Sequence, residues 1–310
     1  MSIYENQHPF YITTNEERQE IRRELGLKES TIEEDIDSIM EWFQKQPHLV
    51  GGGINREFVE NMLIAAKGSM EKTKRRIDNL YKYRGMSSDI LANREKILSE
   101  SEDLWKFFVQ MSIPRLYKGN RIGILKLIDS DPSQFSMEIL FRNTFMLCDL
   151  RLRYDYFLSE IWIVDFKYSS LAHLLRINPL TMQRAALMFQ EGLGIRVHSI
   201  HIVNATGAFQ HIISFFKQFL TPKIFERLTV HSSIEELHKH IPKKYLPKDY
   251  GGDEPSMAEF KDKYEKEIRN TRSKQVLIEA AKMVSDESKR PDANINDEFL
   301  AGSFRKLDFD

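Results

Sequence analysis

RVHSIHIVNATGAFQHIISFFKQFLTPKIFERLTVH, residues 196–231, sets an apolar helical stretch between two short β-like runs. Residues 196–204 (RVHSIHIVN) and 227–232 (RLTVHS) are rich in β-branched residues and end at Asn, Gly or Ser signals, as strands do. Between them, residues 209–220 (FQHIISFFKQFL) carry four phenylalanines in twelve positions. Twelve residues fall short of the roughly 20 that cross a bilayer as a helix. At helical spacing Phe209, Ile212, Ile213, Phe215, Phe216, Phe219 and Leu220 share an arc of about 160°, with Gln210, His211, Ser214, Lys217 and Gln218 opposite. One clean apolar face suits a core helix, and it also suits a cover over something apolar.

The same alternation extends outward. Residues 121–129 (RIGILKLID) and 157–166 (FLSEIWIVDF) are further β-like runs, and residues 136–156 and 179–193 are helical in period. Strands interleaved with helices predict an α/β domain with a mostly parallel sheet flanked by helices. Upstream, residues 30–46, 56–67 and 70–83 carry helical patterns, the first opened by a Ser-Thr cap and stopped by Pro47, while residues 85–102 read as a polar join. Beyond Pro255 a charged helix is expected over residues 256–285, then a polar tail. The expected organisation is a small all-helical module at 14–88, an α/β domain at 89–255, and a charged helical extension with its tail at 256–310.

With 41% apolar and 29% charged residues and a net charge of −1, the 310-residue chain has the composition of a globular protein and no basic excess asking for nucleic acid. Cys148 is the single cysteine, so no internal disulfide and no cysteine-based zinc site can form, which fits a reducing compartment. The first twenty residues have neither a basic start nor an apolar run of signal-peptide length, so a cytoplasmic location is expected. Gly51, Gly52 and Gly53 lack the Lys-Ser or Lys-Thr that completes a phosphate loop, and EGLGIR (191–196) ends a helix instead of opening one, so neither nucleotide fingerprint is present. No nucleophile elbow or zincin motif occurs. His198 and His201 point to opposite sides of a strand, and His238 and His240 lie about 200° apart on a helix, so neither pair can share a metal. Asp165, at a strand end, has no partnered base. No catalytic residue, metal site or cofactor is expected.

Residues 196–231, followed by IPKKYLPKDYGG (241–252), closely resemble the CRAL-TRIO (Sec14-like) lipid-binding family. That family's order is a strand ending in an Ile-Asn pair, a helix with Lys-x-Phe-Leu, a Lys and an Arg four apart, a His, and a closing Leu-Pro-x-x-Tyr-Gly-Gly. Here the matching residues are Val203 and Asn204, Lys217 to Leu220, Lys223 and Arg227, His231, and Leu246 to Gly252. MEKTKRRIDNLYKYR (70–84) is similar to the helical module preceding this domain, so the resemblance covers most of residues 30–255.

The resemblance implies a non-enzymatic carrier that encloses a hydrophobic molecule (a tocopherol, retinoid, carotenoid or terpenoid hormone ester) under a mobile lid formed by residues 209–220, and exchanges it at membranes. Seven large side chains at about 1.5–3 kcal/mol each would hold such a lid shut in water, and a bilayer interface would offset their exposure. By the same resemblance Phe141, Thr144, Phe145 and Cys148 on one helix face the ligand. Val164 and Ile200 on strands, with Met188, Phe189 and Leu193, complete the expected pocket. Arg196, His198, Lys223 and Arg227 stand where a phosphoinositide headgroup is held in the family, although His198 replaces an arginine. Ile64 and Ala66 likewise stand where arginines are usual, while Lys67 is retained. A phosphoinositide-dependent transfer or trafficking adaptor is the rival reading. The expected partners are a hydrophobic ligand and an anionic membrane surface, and the expected state is a monomer.

Overall fold

A computed structural model describes residues 8–291 except 102 and 206. The first half is helical: α1 (Asn15–Glu24), α2 (Glu29–Gln44), a two-residue strand β1 (Leu49–Val50), α3 (Arg56–Ala65), α4 (Met70–Met86), α5 (Ser88–Leu91) and α6 (Arg94–Glu100). Then β2 (Phe108–Ser112) and β3 (Asn120–Leu127) lead to α7 (Met137–Tyr154), β4 (Ser159–Asp165), α8 (Leu171–Leu174) and α9 (Pro179–Leu187). The chain continues through β5 (Val197–Val203), α10 (Phe209–Phe216), α11 (Pro222–Phe225), β6 (Leu228–Val230) and α12 (Ile234–His238). It closes with α13 (Met257–Arg269), α14 (Thr271–Ala281) and β7 (Val284–Ser285). The expected tail from residue 292 onward lies outside the described residues.

The main sheet has the order β2-β3-β4-β5-β6; β2 runs antiparallel to β3, and β3 to β6 are parallel. The parallel pairs require long crossovers, which α7, α8–α9 and α10–α11 supply. Register sorts the side chains into two faces. Leu125 pairs with Val164 and Val164 with Ile202 on one face, while Ile124 pairs with Ile163 and Ile163 with His201 on the other. The second face is closed by Leu237, Ile241, Leu246 and Phe260, all buried, and by Tyr264, whose hydroxyl accepts from the Ser112 amide at 2.9 Å.

Four expectations change at the level of elements. The stretch read as a polar join at 85–102 holds α5 and α6, which bury Ile90, Leu91 and Leu98 but, at four and seven residues, are too short to show a period. β2, unassigned from sequence, is buried along its whole length, so its apolar run has no alternation to reveal it. The single charged helix expected at 256–285 is two, because Asn270 turns extended and its side chain accepts from the Ser273 amide to start α14. The helix expected over 209–220 stops at Phe216. There the chain tightens to Gln218 N–H donating to Phe215 O and Phe219 N–H donating to Phe216 O, and Pro222 opens α11.

The helix from Pro179 keeps going as expected but widens into a π-turn over Met188–Leu193. Gly194 closes that turn in the left-handed region at φ +58°, and a side chain there would collide with Arg76. Gly192 lets α4 come close, since a Cβ would sit 3.3 Å from the Leu80 Cα.

Candidate functional site

A cavity of about 370 Å³ lies between the Leu125–Val164–Ile202 face of the sheet and the helices that cover it. This volume lies within the ~300–1,000 Å³ usual for small-molecule sites. Its floor is Leu125, Leu127, Trp162, Val164, Val197 and Ile200 from the strands. One wall is Met137, Leu140 and Thr144 of α7, and the opposite wall is Met182, Ala185, Phe189 and Gln190 of α9 and its π-turn. Leu174 of α8 and Ile212, Phe216, Leu220 and Ile224 from residues 209–224 form the cover.

Of the pocket residues expected from sequence, Thr144, Val164, Phe189 and Ile200 line this cavity. Phe141, Phe145, Cys148, Met188 and Leu193 do not; they are buried in the main core outside the wall. The reason is geometric. Only one narrow stripe of α7 faces the sheet, so Phe145 stacks its edge against Phe189 at 4.9 Å, one layer back from the cavity. Burial pushes the Cys148 thiol far above its ordinary range, so it is an inert core group.

The expected lid residues divide in a similar way. Ile212, Phe216 and Leu220 face the cavity. Phe209 is buried against Phe166, with ring centroids 5.3 Å apart, and Ile213 joins the same small cluster. Phe215 and Phe219 are half-buried and touch each other, their tilted rings 5.2 Å apart. α10 has no side-chain N-cap, and its far end is clasped from outside by Gln190. The Gln190 Nε2 donates to Phe219 O at 3.0 Å, and its Oε1 accepts from the Thr221 amide at 3.3 Å. Sequence reasoning missed Gln190, and no pattern in the chain marks it.

Of the four expected headgroup residues, the two arginines are turned inward to backbone. Arg196 Nη2 donates to Leu158 O and Arg227 Nη1 donates to Val197 O, whereas His198 and Lys223 are exposed. Burial, with repulsion from nearby Arg76, holds the Arg196 guanidinium below its usual range. The Nε of Arg196 and an Nη of Arg76 are buried without a partner.

Polar groups at the cavity are few and mostly paired. Glu160 receives hydrogen bonds from Arg151 and from the Trp162 indole; burial raises its pKa and Arg151 opposes that rise. At the strand ends Asp165 accepts from the Tyr250 hydroxyl at 3.0 Å, the Asn204 amide side chain at 3.0 Å and the Lys167 amide at 2.9 Å, and it pairs with Lys126 at 3.5 Å. Asp165 is thus a structural hub, and Tyr250 of the Leu-Pro-x-x-Tyr-Gly-Gly segment is what ties the closing loop to β4. Gly251 sits at φ +66°, and a Cβ on Gly252 would strike the Leu246 carbonyl, so both glycines answer to the tightness of that loop.

On the opposite face, three histidines that sequence spacing kept apart meet across elements. His201 Nδ1 and His231 Nε2 are 2.8 Å apart, and the His240 ring lies 5.3 Å and 5.2 Å from the two. Among the described residues no group of His, Cys, Asp and Glu is arranged to hold a metal ion. Burial, then repulsion from His231, His240 and His198, lowers the His201 pKa to about 4.

These features define an α/β fold that encloses an apolar cavity beneath a short amphipathic helix. Residues 114–252 match the family described as CRAL/TRIO domain, and residues 28–101 match the one described as Pinta-like, UBA domain. Alpha-tocopherol transfer protein-like from Mus musculus is 35% identical over 91 residues, which are 29% of this chain and 26% of that protein. The Homo sapiens protein of the same name is 34% identical over 91 residues, 29% of this chain and 27% of its own. The matched stretch thus spans about a quarter of those relatives' length. The crystal structure of Sfh5 superposes on 80% of this chain and 92% of its own at 10% identity, with a TM-score of 0.44. Residues 114–252 therefore form a CRAL-TRIO domain, the domain of a family whose members bind lipophilic ligands.

Proposed function

We propose that this protein is a non-enzymatic carrier that encloses one lipophilic small molecule in the 370 Å³ cavity and releases it when α10 meets a membrane. The observation that carries this reading is the cavity's apolar lining and its cover, in which Ile212 and Phe216 come from the amphipathic α10 and Leu220 from the turn that follows it. Cytoplasmic residence as a monomer with transient membrane contact is part of the proposal. No helix among the described residues is long and apolar enough to cross a membrane.

A membrane-facing surface is available beside the cover. Leu171 at the start of α8 and Leu175 just past its end are 44% and 86% exposed, about one helical turn apart, and Leu180 is exposed at the start of α9. Leu174, between them, faces inward onto the cavity, and α8 touches α10. Exposed Lys167 and Arg176 flank these leucines, which is the composition of an interfacial anchor on anionic lipid.

Mass spectrometry of organic extracts from natively purified protein tests the carrier. One enriched lipophilic species in near-stoichiometric amount is expected. Extracts no richer than those of an unrelated protein, together with no binding across a panel of retinoids, tocopherols and terpenoids, would overturn it. A second reading, headgroup capture by a phosphoinositide-dependent adaptor, is favoured by the unpartnered donors of Arg196 and Arg76. It predicts that Arg196→Ala lowers capture by phosphoinositide vesicles and not by phosphatidylserine vesicles of equal charge.

A further inference from the structure

Gln110 is the polar interruption in β2, between Val109 and Met111, and it is only 7% exposed. Its side chain lies on the cavity wall with Thr144, whose hydroxyl donates to the Gln110 Oε1 at 2.6 Å. No group among the described residues accepts from the Gln110 Nε2. Around the pair the wall is Leu125, Leu127, Phe135 and Leu140. The Gln110 Nε2 is not among the fully enclosed unpartnered atoms, so it opens toward the cavity, where a ligand oxygen can accept from it. With its Oε1 accepting from the Thr144 hydroxyl, the amide presents its donor side to the cavity.

The charges on the same wall set a second condition. Lys126 is paired with Asp165, and Glu160 is already occupied by Arg151 and Trp162. His173 shares a hydrogen bond with Ser170 at 2.8 Å, and burial lowers its pKa. No unpaired cation therefore lines the cavity among the described residues, and a carboxylate or phosphate entering it would be buried unpaired in the company of Glu160.

Resting on the carrier reading, we propose that the cavity takes an uncharged lipophile bearing one oxygen function, a carbonyl or a hydroxyl, and that Gln110, braced by Thr144, holds that oxygen. Gln110 is thus a specificity-determining residue. It favours a head group that can accept a hydrogen bond over a bare hydrocarbon, and the wall disfavours fatty acids and phospholipids.

A matched C15 series tests this with the full chain: farnesene, farnesal, farnesol and farnesoic acid, competing at pH 7.4 against an environment-sensitive apolar fluorophore. Farnesal and farnesol are expected to bind about tenfold more tightly than farnesene, and farnesoic acid more weakly than farnesal. In Gln110→Leu the preference for farnesal over farnesene should fall to about twofold or less while farnesene affinity is kept, with a thermal melt confirming the fold. An acid that binds as well as the aldehyde, or a farnesal preference that survives in Gln110→Leu, overturns the assignment. The wild-type ranking decides even where the variant fails to fold. Failure of all four to compete, with the fluorophore also unbound, would sink the carrier reading itself and not only the head-group inference.

Discussion

Asp149 of α7 lies between Arg84 of α4 and Arg94 of α6, all three buried. Burial alone would raise the carboxyl's pKa, but the two guanidiniums outweigh it and hold it below the usual range. Arg84 also donates to Ala280 O at 2.7 Å, so one carboxylate ties the first, middle and last parts of the chain together. Asp149→Leu leaves two cations buried without an anion and should cost about 3–5 kcal/mol in urea unfolding, with ligand affinity retained by what remains folded. His201 gives a pH signature. Its folded value of about 4 lies below the ordinary 6.5, so between those values the unfolded chain binds the extra proton. Stability from this group is intact above pH 6.5 and is lost as pH falls toward 4, at up to about 1.4 kcal/mol per pH unit for one proton. His231 and His240 face it, His198 acts on it from a distance, and Glu236 acts on His231. Melts of His201→Gln from pH 7 to 4.5 should show a shallower slope than wild type; equal slopes would remove His201 as the cause. Neither cluster was visible in the sequence, because partners 30 to 65 residues apart on different elements have no local spacing to betray them.

At the scale of elements, the amphipathic face of α10 was legible, and its length was not. Phe209, Ile212, Ile213, Phe216 and Leu220 have apolar neighbours, yet the helix stops at Phe216 because Thr221 and Pro222 must turn the chain into α11. Gln190 holds that turn with two hydrogen bonds, worth about 0.5–1.5 kcal/mol each. Gln190→Leu should therefore speed ligand release about 5- to 150-fold in stopped-flow transfer to acceptor vesicles, with little change in melting temperature. Phe216→Asp should both speed release and weaken capture by anionic vesicles, since its ring serves the cavity and the apolar face. Leu175→Asp, whose side chain is 86% exposed, should weaken capture alone. A Leu175 variant that binds vesicles like wild type would remove α8 from the membrane surface. β2 escaped sequence reading because a strand buried on both faces shows no alternation, and the one polar residue inside it, Gln110, was its most informative letter.

For the molecule as a whole, the helical module, the sheet domain and the charged extension share one continuous core. β1 of the N-terminal half pairs with β7 at the far end, and α4 packs along the π-turn that walls the cavity. α13 presents Met257, Phe260, Tyr264 and Ile268 inward and its charges outward, so the extension is part of the fold. A chain ending at residue 255 should lose those contacts and expose the back of β2; insoluble expression, or a melting temperature at least ~10 °C lower, is the expected outcome. A truncated chain that melts like the full one would show the extension to be dispensable. The sequence by itself determined the α/β alternation, the covering helix and the family, since each rests on local period or on a contiguous run of motif residues. Tertiary structure alone decided which side of each element meets the cavity. Phe141 and Phe145 pack behind the wall while Thr144 reaches it, and Gln110 and Gln190 become functional candidates only once strands and helices distant in the chain are brought to one surface. Facing is a property of register and helix rotation against a neighbour, and a single sequence does not carry that neighbour with it.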